Sequence, residues 1–86
     1  MSAREPRVSV LIPVHDAAAT LGPCLDSVLP QEGPPFEVLV VDDGSRDGSG
    51  DLAAARDDPR VRVLRPGRVG LVAALNRGLV AARGEL

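Results

Sequence analysis

Three short β-branched runs, each followed by a stretch with helical spacing, constrain this chain more than any other feature. Val8 to Ile12 reads VSVLI, Phe36 to Val41 reads FEVLVV, and Val61 to Leu64 reads VRVL. Runs that are apolar at nearly every position suit strands buried on both faces, as in a parallel sheet. Between the first two, Ala18, Leu21, Leu25, Val28 and Leu29 fall on one face of a helix. After the third, Leu71, Leu75, Leu79 and Ala82 do the same, and a short helix is expected over Ser49 to Arg56. The order βαβαβα implies an α/β fold, a parallel sheet in three layers with right-handed crossovers.

Proline and glycine set the expected boundaries. Pro13 has no N–H for a ladder and is expected to end the first strand. Thr20 as N-cap puts Pro23 in the first helical turn, so the helix is expected over about Leu21 to Leu29. A start at Asp16 would leave Pro23 in the interior at a cost of ~3 kcal/mol. Asp47 or Ser49 is expected to cap the second helix. The third is expected over Leu71 to Arg83, with Gly84 at C′ and the Leu71/Leu75/Leu79/Ala82 stripe in the core. Residues 1–7 read as a flexible segment and 8–86 as one partial domain. Three strands leave a sheet edge open, a liability in a complete domain. The expectation is therefore a truncated front part of a larger domain, prone to self-association through that edge.

Composition closes off several classes. All 10 basic residues are Arg, against 12 acidic ones, a net charge of −2 with no basic footprint for nucleic acid. Phe36 is the only aromatic side chain of the Phe, Trp and Tyr set, so there is no stacking platform for single strands. The single Cys24 cannot form an internal disulfide. No apolar run approaches the ~20 residues of a membrane span, and MSAREPR does not lead into a signal-type region.

Ligands of open parallel sheets bind beyond the carboxyl ends of the strands. Here those ends carry Pro13-Val14-His15-Asp16 and Asp42-Asp43-Gly44-Ser45. The first turn, PVHDAAAT, lacks the glycines of a dinucleotide fingerprint. A Walker loop needs Lys, which is absent. One Cys and one His do not make a zinc site. A phosphoacceptor receiver also has an acidic pair at a strand end, but after its first strand and with a Lys, so that likeness is weak.

The chain resembles family 2 glycosyltransferases, which have a GT-A fold. The matching pieces, in order, are VSVLIPVHD, LDSVLPQ, FEVLVVDDGSRDGS, and DPRVRVL followed by GLVAALNRGLVAARGEL. The resemblance implies a sugar transferred from a nucleotide-diphospho-sugar donor, UDP-linked as the family expectation, to an unidentified acceptor hydroxyl with inversion at the anomeric carbon. It places Pro13, Val14 and His15 along the nucleotide and gives Asp43 a hydrogen bond from the base. An ionised carboxylate accepts and a uracil ring N–H donates. Asp42 is expected to hold the turn. Arg65 and Arg68 follow the third strand, Arg68 being the better placed for the diphosphate, although the family often has Asn there. The resemblance also implies a divalent metal, Mg²⁺ or Mn²⁺, whose ligands lie in a later motif, and no catalytic residue within this chain. It implies a cytoplasmic enzyme, in solution or at the membrane face. The competing reading is a non-catalytic remnant or partner-dependent module, inactive alone.

Overall fold

The computed structural model describes residues 7–84. The expectation of a flexible segment over 1–7 falls almost wholly outside them; Arg7 itself donates its N–H to the Pro35 carbonyl (2.9 Å). The elements are β1 (Val8–Val14), α1 (Ala18–Val28), β2 (Phe36–Asp42), α2 (Ser49–Ala54), β3 (Val61–Leu64) and α3 (Leu71–Ala81). The sheet is parallel, in the order β1-β2-β3. Its register runs from Val8↔Phe36 to Val14↔Asp42, and from Val38↔Val61 to Val41↔Leu64.

Side-chain alternation builds the three layers. Val10, Ile12 and Val14, Val38 and Val40, and Val61 and Val63 share one face with Leu21, Leu25 and Ala53 of α1 and α2. The intervening residues face α3. There Ala74 and Gly78 are the buried helical positions, while Leu71 and Leu79 are exposed. The expected leucine stripe is therefore not the packed face. Gly78 explains the difference: a Cβ there would collide with the Leu11 side chain, so the helix approaches β1 through its smallest residues. No helix among the described residues is long and apolar enough to cross a membrane.

Pro13 does not end the first strand; it pairs with Val41 inside the register. The Asp43 N–H donates to the Val14 carbonyl (2.8 Å), so Val14 turns its backbone toward β2 and Pro13 turns away. On an edge strand the missing N–H removes no ladder bond.

Nor does α1 wait for Leu21. It starts at Ala18, which leaves Pro23 inside the helix. Donors at its start are satisfied from a distant loop: Asp16 N–H by Ser45 Oγ (2.9 Å), Ala17 N–H by Ser49 Oγ (3.0 Å), and Ala18 N–H by Asp47 Oδ2 (2.9 Å). A carboxylate at a helix start also suits the helix dipole. These bonds offset the interior proline, whose orphaned carbonyl belongs to the exposed Ala19. Asp16 turns the chain into the helix with a φ of 51°, the left-handed region that Asp tolerates better than most residues.

Two other boundaries differ. Gly48, in the left-handed region, takes the cap position of α2, while Asp47 Oδ1 accepts the Ser49 N–H (3.0 Å), and α2 stops at Ala54. α3 ends at Ala81 with an extended Ala82, so Gly84 is not its C′ residue. The Arg83 N–H instead goes to Glu37 Oε2 (2.7 Å) and the Gly84 N–H to Ser9 Oγ (2.9 Å). Glu37 also accepts from the Ser9 hydroxyl (2.7 Å) and from Arg62 Nη1 (2.8 Å). This buried carboxylate ties the end of α3 to all three strands.

Candidate functional site

Alternation sends the two adjacent carboxylates in opposite directions. Asp42 accepts the Ser45 N–H (2.9 Å), and its Oδ2 fills the space where a Cβ on Gly50 would stand. It supports the turn from the last position of β2. Asp43 points to the α3 side. Its Oδ1 accepts the N–H groups of Val69 (2.6 Å) and Gly70 (3.0 Å), and its Oδ2 accepts Arg68 Nη1 (2.7 Å). Burial acts to raise the Asp43 pKa, but the Val69 and Gly70 N–H bonds and the Arg68 and His15 charges outweigh it and hold the carboxyl below its ordinary value.

The two strand ends meet. The His15 Nδ1–H donates to the Asp43 carbonyl oxygen (2.9 Å), and Nε2 lies 3.5 Å from Asp16 Oδ2. That bond joins residues 28 apart in sequence. Pro13, Val14, His15, Asp43 and Arg68 all line one cavity of about 310 Å³. The structure thus brings together every residue singled out for the nucleotide. Leu71 and Ala74, from the first turns of α3, complete the wall. Leu71, expected in the core from its helical spacing, is instead an exposed wall residue. The available signal was strand parity: Asp43, three residues on from Val40, must face the layer opposite α1.

A second cavity, of about 340 Å³, adjoins the first. His15 and Arg68 line both, and Asp16, Gly44 and Arg46 complete the second. The first is walled mainly by apolar groups, with Asp43 as its carboxylate; the second is polar, with Asp16 and both Arg46 and Arg68. Arg65 lines neither cavity and pairs with Asp51 at 2.9 Å. Gly44 fixes how near the third-strand loop comes. Its φ is 69°, and a Cβ there would stand 2.9, 3.0 and 3.0 Å from Cβ, Cα and N of Arg68.

Among the described residues no group of three His, Cys, Asp or Glu side chains could hold a metal ion. The acidic pair does not fit one either, because both Asp43 oxygens already accept N–H donors and Asp42 faces the other layer. A further cavity of about 420 Å³ lies at the opposite end of the sheet, beside Phe36, Glu37 and Arg62. It is remote from the strand ends where this fold class binds ligands.

The family model described as Glycosyl transferase family 2 matches residues 9–86. The chain is 38% identical over 81 residues to the uncharacterized glycosyltransferase EpsJ of Bacillus subtilis (strain 168), covering 92% of this chain and 24% of that protein. It is 45% identical over 83 residues to the uncharacterized protein MT1568 of Mycobacterium tuberculosis, covering 95% and 26%. Among solved structures it is similar to the mannosyltransferase PcManGT from Pyrobaculum calidifontis in complex with GDP-Man and Mn²⁺. There the TM-score is 0.77 and the identity 32%, over 94% of this chain and 25% of that one. The chain therefore spans about a quarter of the length of the relatives it matches.

Proposed function

The chain belongs to glycosyl transferase family 2, and we propose that it forms the donor-nucleotide site of an enzyme that moves a sugar from a nucleoside diphosphate to an acceptor hydroxyl. One observation carries the reading: the His15–Asp43 hydrogen bond joins two distant strand ends around a single cavity. The base lies against Pro13, Val14 and Leu71, with a ring N–H directed at Asp43. Uracil and guanine carry such a ring N–H; adenine and cytosine present ring acceptors there, which a carboxylate repels. Uridine is the base expected from the sequence, and the GDP-Man bound by PcManGT adds guanosine as the second candidate.

In the reaction the anomeric carbon–phosphate oxygen bond breaks and the acceptor oxygen bonds to the same carbon from the opposite face. The nucleoside diphosphate leaves, and the hydroxyl proton passes to a base outside this segment. A divalent ion, Mg²⁺ or Mn²⁺, supplies positive charge for the leaving diphosphate, held by residues other than those described. The work of this segment is binding and orientation of the donor.

Calorimetric titration of the full-length protein with uridine, guanosine and adenosine diphosphates, with and without Mn²⁺, tests the proposal. One of the first two is expected to bind most tightly, and Asp43→Asn to weaken it roughly tenfold or more, the scale for a lost charged partner. Equal binding of the adenosine compound, or an unaltered Asp43→Asn variant, would refute the assignment. Binding without sugar transfer would leave the non-catalytic module as the correct reading.

A further inference from the structure

Both Asp43 oxygens already accept N–H donors, two on Oδ1 and one on Oδ2, so the acceptor capacity left for a ligand lies at Oδ2, which Arg68 holds. Two of its partners are backbone N–H groups, those of Val69 and Gly70, and cannot swing away. The third is the Arg68 guanidinium on Oδ2. The pair is asymmetric: the Asp43 side chain is 6% exposed and the Arg68 side chain 61%. Because the Arg68 backbone is packed on Gly44, the movable part is the side chain alone. Arg68 and His15 line both the apolar cavity and the one containing Arg46. In the second cavity the only carboxylate is Asp16, whose Oδ1 already accepts the Arg46 N–H (2.7 Å).

We propose that Arg68 is a two-position side chain that closes Asp43 in the empty protein and transfers to the ligand's phosphate when a base N–H takes Oδ2. The proposal rests on the nucleotide reading of the cavity and adds a regulatory step to it. Arg68 in its first position holds the carboxylate in its ionised, accepting form and keeps the cavity shut to apolar molecules that bring neither a donor nor an anion. In its second it joins Arg46 beside the phosphate groups. A nucleoside alone must displace Arg68 without giving it a new partner; a nucleoside diphosphate displaces it and also pairs with it. Arg68 therefore makes the site select for phosphate as well as for base. Lysine shares the charge but not the planar fork, so its rescue should be incomplete.

The test is calorimetry on the full-length protein without added metal, using uridine, uridine diphosphate, guanosine and guanosine diphosphate at low and moderate salt. Three proteins are compared: the natural chain, Arg68→Gln and Arg68→Lys. For whichever base binds, Arg68→Gln should bind the nucleoside as well as or better than the natural chain. It should bind the diphosphate roughly tenfold or more weakly, with a shallower salt dependence. Arg68→Lys should recover part of that loss. Equal weakening of nucleoside and diphosphate would make Arg68 a fixed part of the wall and overturn the exchange. No change in either would do the same. If the natural chain binds none of the four compounds, with Mn²⁺ or without it, the nucleotide reading fails and the exchange fails with it. If it binds but shows no phosphate preference that Arg68→Gln removes, only the exchange is lost.

Discussion

Replacing Gly44 with alanine should separate two penalties that glycine avoids. The first is conformational: at φ 69° an L side chain costs roughly 1–2 kcal/mol. The second is steric. The new methyl would stand 2.9 Å from Arg68 Cβ and 3.0 Å from both its Cα and its N, where ordinary contact begins near 3.4 Å. Two of these atoms are backbone, so no rotamer change relieves them. Overpacking of this kind costs roughly 1–3 kcal/mol, giving roughly 2–5 kcal/mol for Gly44→Ala in all.

Gly67 supplies the control. Its φ is 90°, also left-handed, yet nothing lies within 4 Å of a Cβ built there. Gly67→Ala should cost the backbone penalty alone, roughly 1–2 kcal/mol. The chain has no Trp or Tyr, so urea unfolding is followed by far-ultraviolet circular dichroism rather than fluorescence. Gly44→Ala should unfold at the lower urea concentration, by a margin worth roughly 1–3 kcal/mol. It should also weaken nucleotide binding, because relief of the clash draws Val69 and Gly70 away from Asp43. Equal stability of the two variants would refute the close approach of Arg68 to Gly44 and the positioning argument built on it.

Glu37→Gln should alter the acid limb of stability. Burial pushes the Glu37 carboxyl up, but the Ser9 hydroxyl, the Arg83 N–H and Arg62 together hold it below its ordinary value of 4.5. A depressed folded pKa gives stability that is full above the unfolded value and lost as pH falls through the folded one. The natural chain should therefore lose stability below about pH 4.5, and Glu37→Gln should flatten that part of the profile while costing roughly 1–3 kcal/mol at pH 7; a variant with an unchanged acid limb would count against the network. Ser49→Ala removes the acceptor of the Ala17 N–H and should destabilise the protein by roughly 1–2 kcal/mol. Amide exchange at Ala17 and Ala18 should accelerate while nucleotide affinity stays unchanged, and slow exchange there would refute the capping role. Arg65→Ala, by contrast, deletes an exposed pair with Asp51 and should change stability by less than about 0.5 kcal/mol and binding not at all.

Periodicity made most of the frame visible in the sequence. The strand runs over 8–14, 36–42 and 61–64 are buried or half-buried because their residues lack a solvent face, and that pattern is written directly in VSVLI and FEVLVV. The helix boundaries were not local properties. Pro23 argued for a late start to α1 only while its first turn was considered alone; Ser45, Asp47 and Ser49 supply caps from more than 28 residues away. The end of α3 was set likewise by Glu37 and Ser9. Its packed face was misassigned because hydrophobic size suggested the leucines, whereas close approach to Leu11 selected Ala74 and Gly78. At the site, Pro13, Val14, His15, Asp43 and Arg68 were read in advance, but Leu71 and Ala74 emerge only when α3 is placed over the end of β1.

The DDGSRDGS stretch is the most recognisable part of the chain, and the structure divides its labour unevenly. Ser45, Asp47 and Ser49 satisfy donors at the start of α1. Asp42 holds Ser45, and Gly44 admits the Arg68 backbone. Asp43 alone among the acidic residues of this stretch faces the apolar cavity. A shared stretch of this kind consequently reports a shared frame before it reports a shared ligand, since most of its side chains would be needed whatever the cavity held. Arg68, proposed above to set what charge a ligand must bring, lies outside it on the loop after β3. Exchange of that residue for Asn would leave every cap on α1 intact while removing the guanidinium from Oδ2 of Asp43. Ligand preference can thus change within this frame without any change in the stretch by which the frame is recognised.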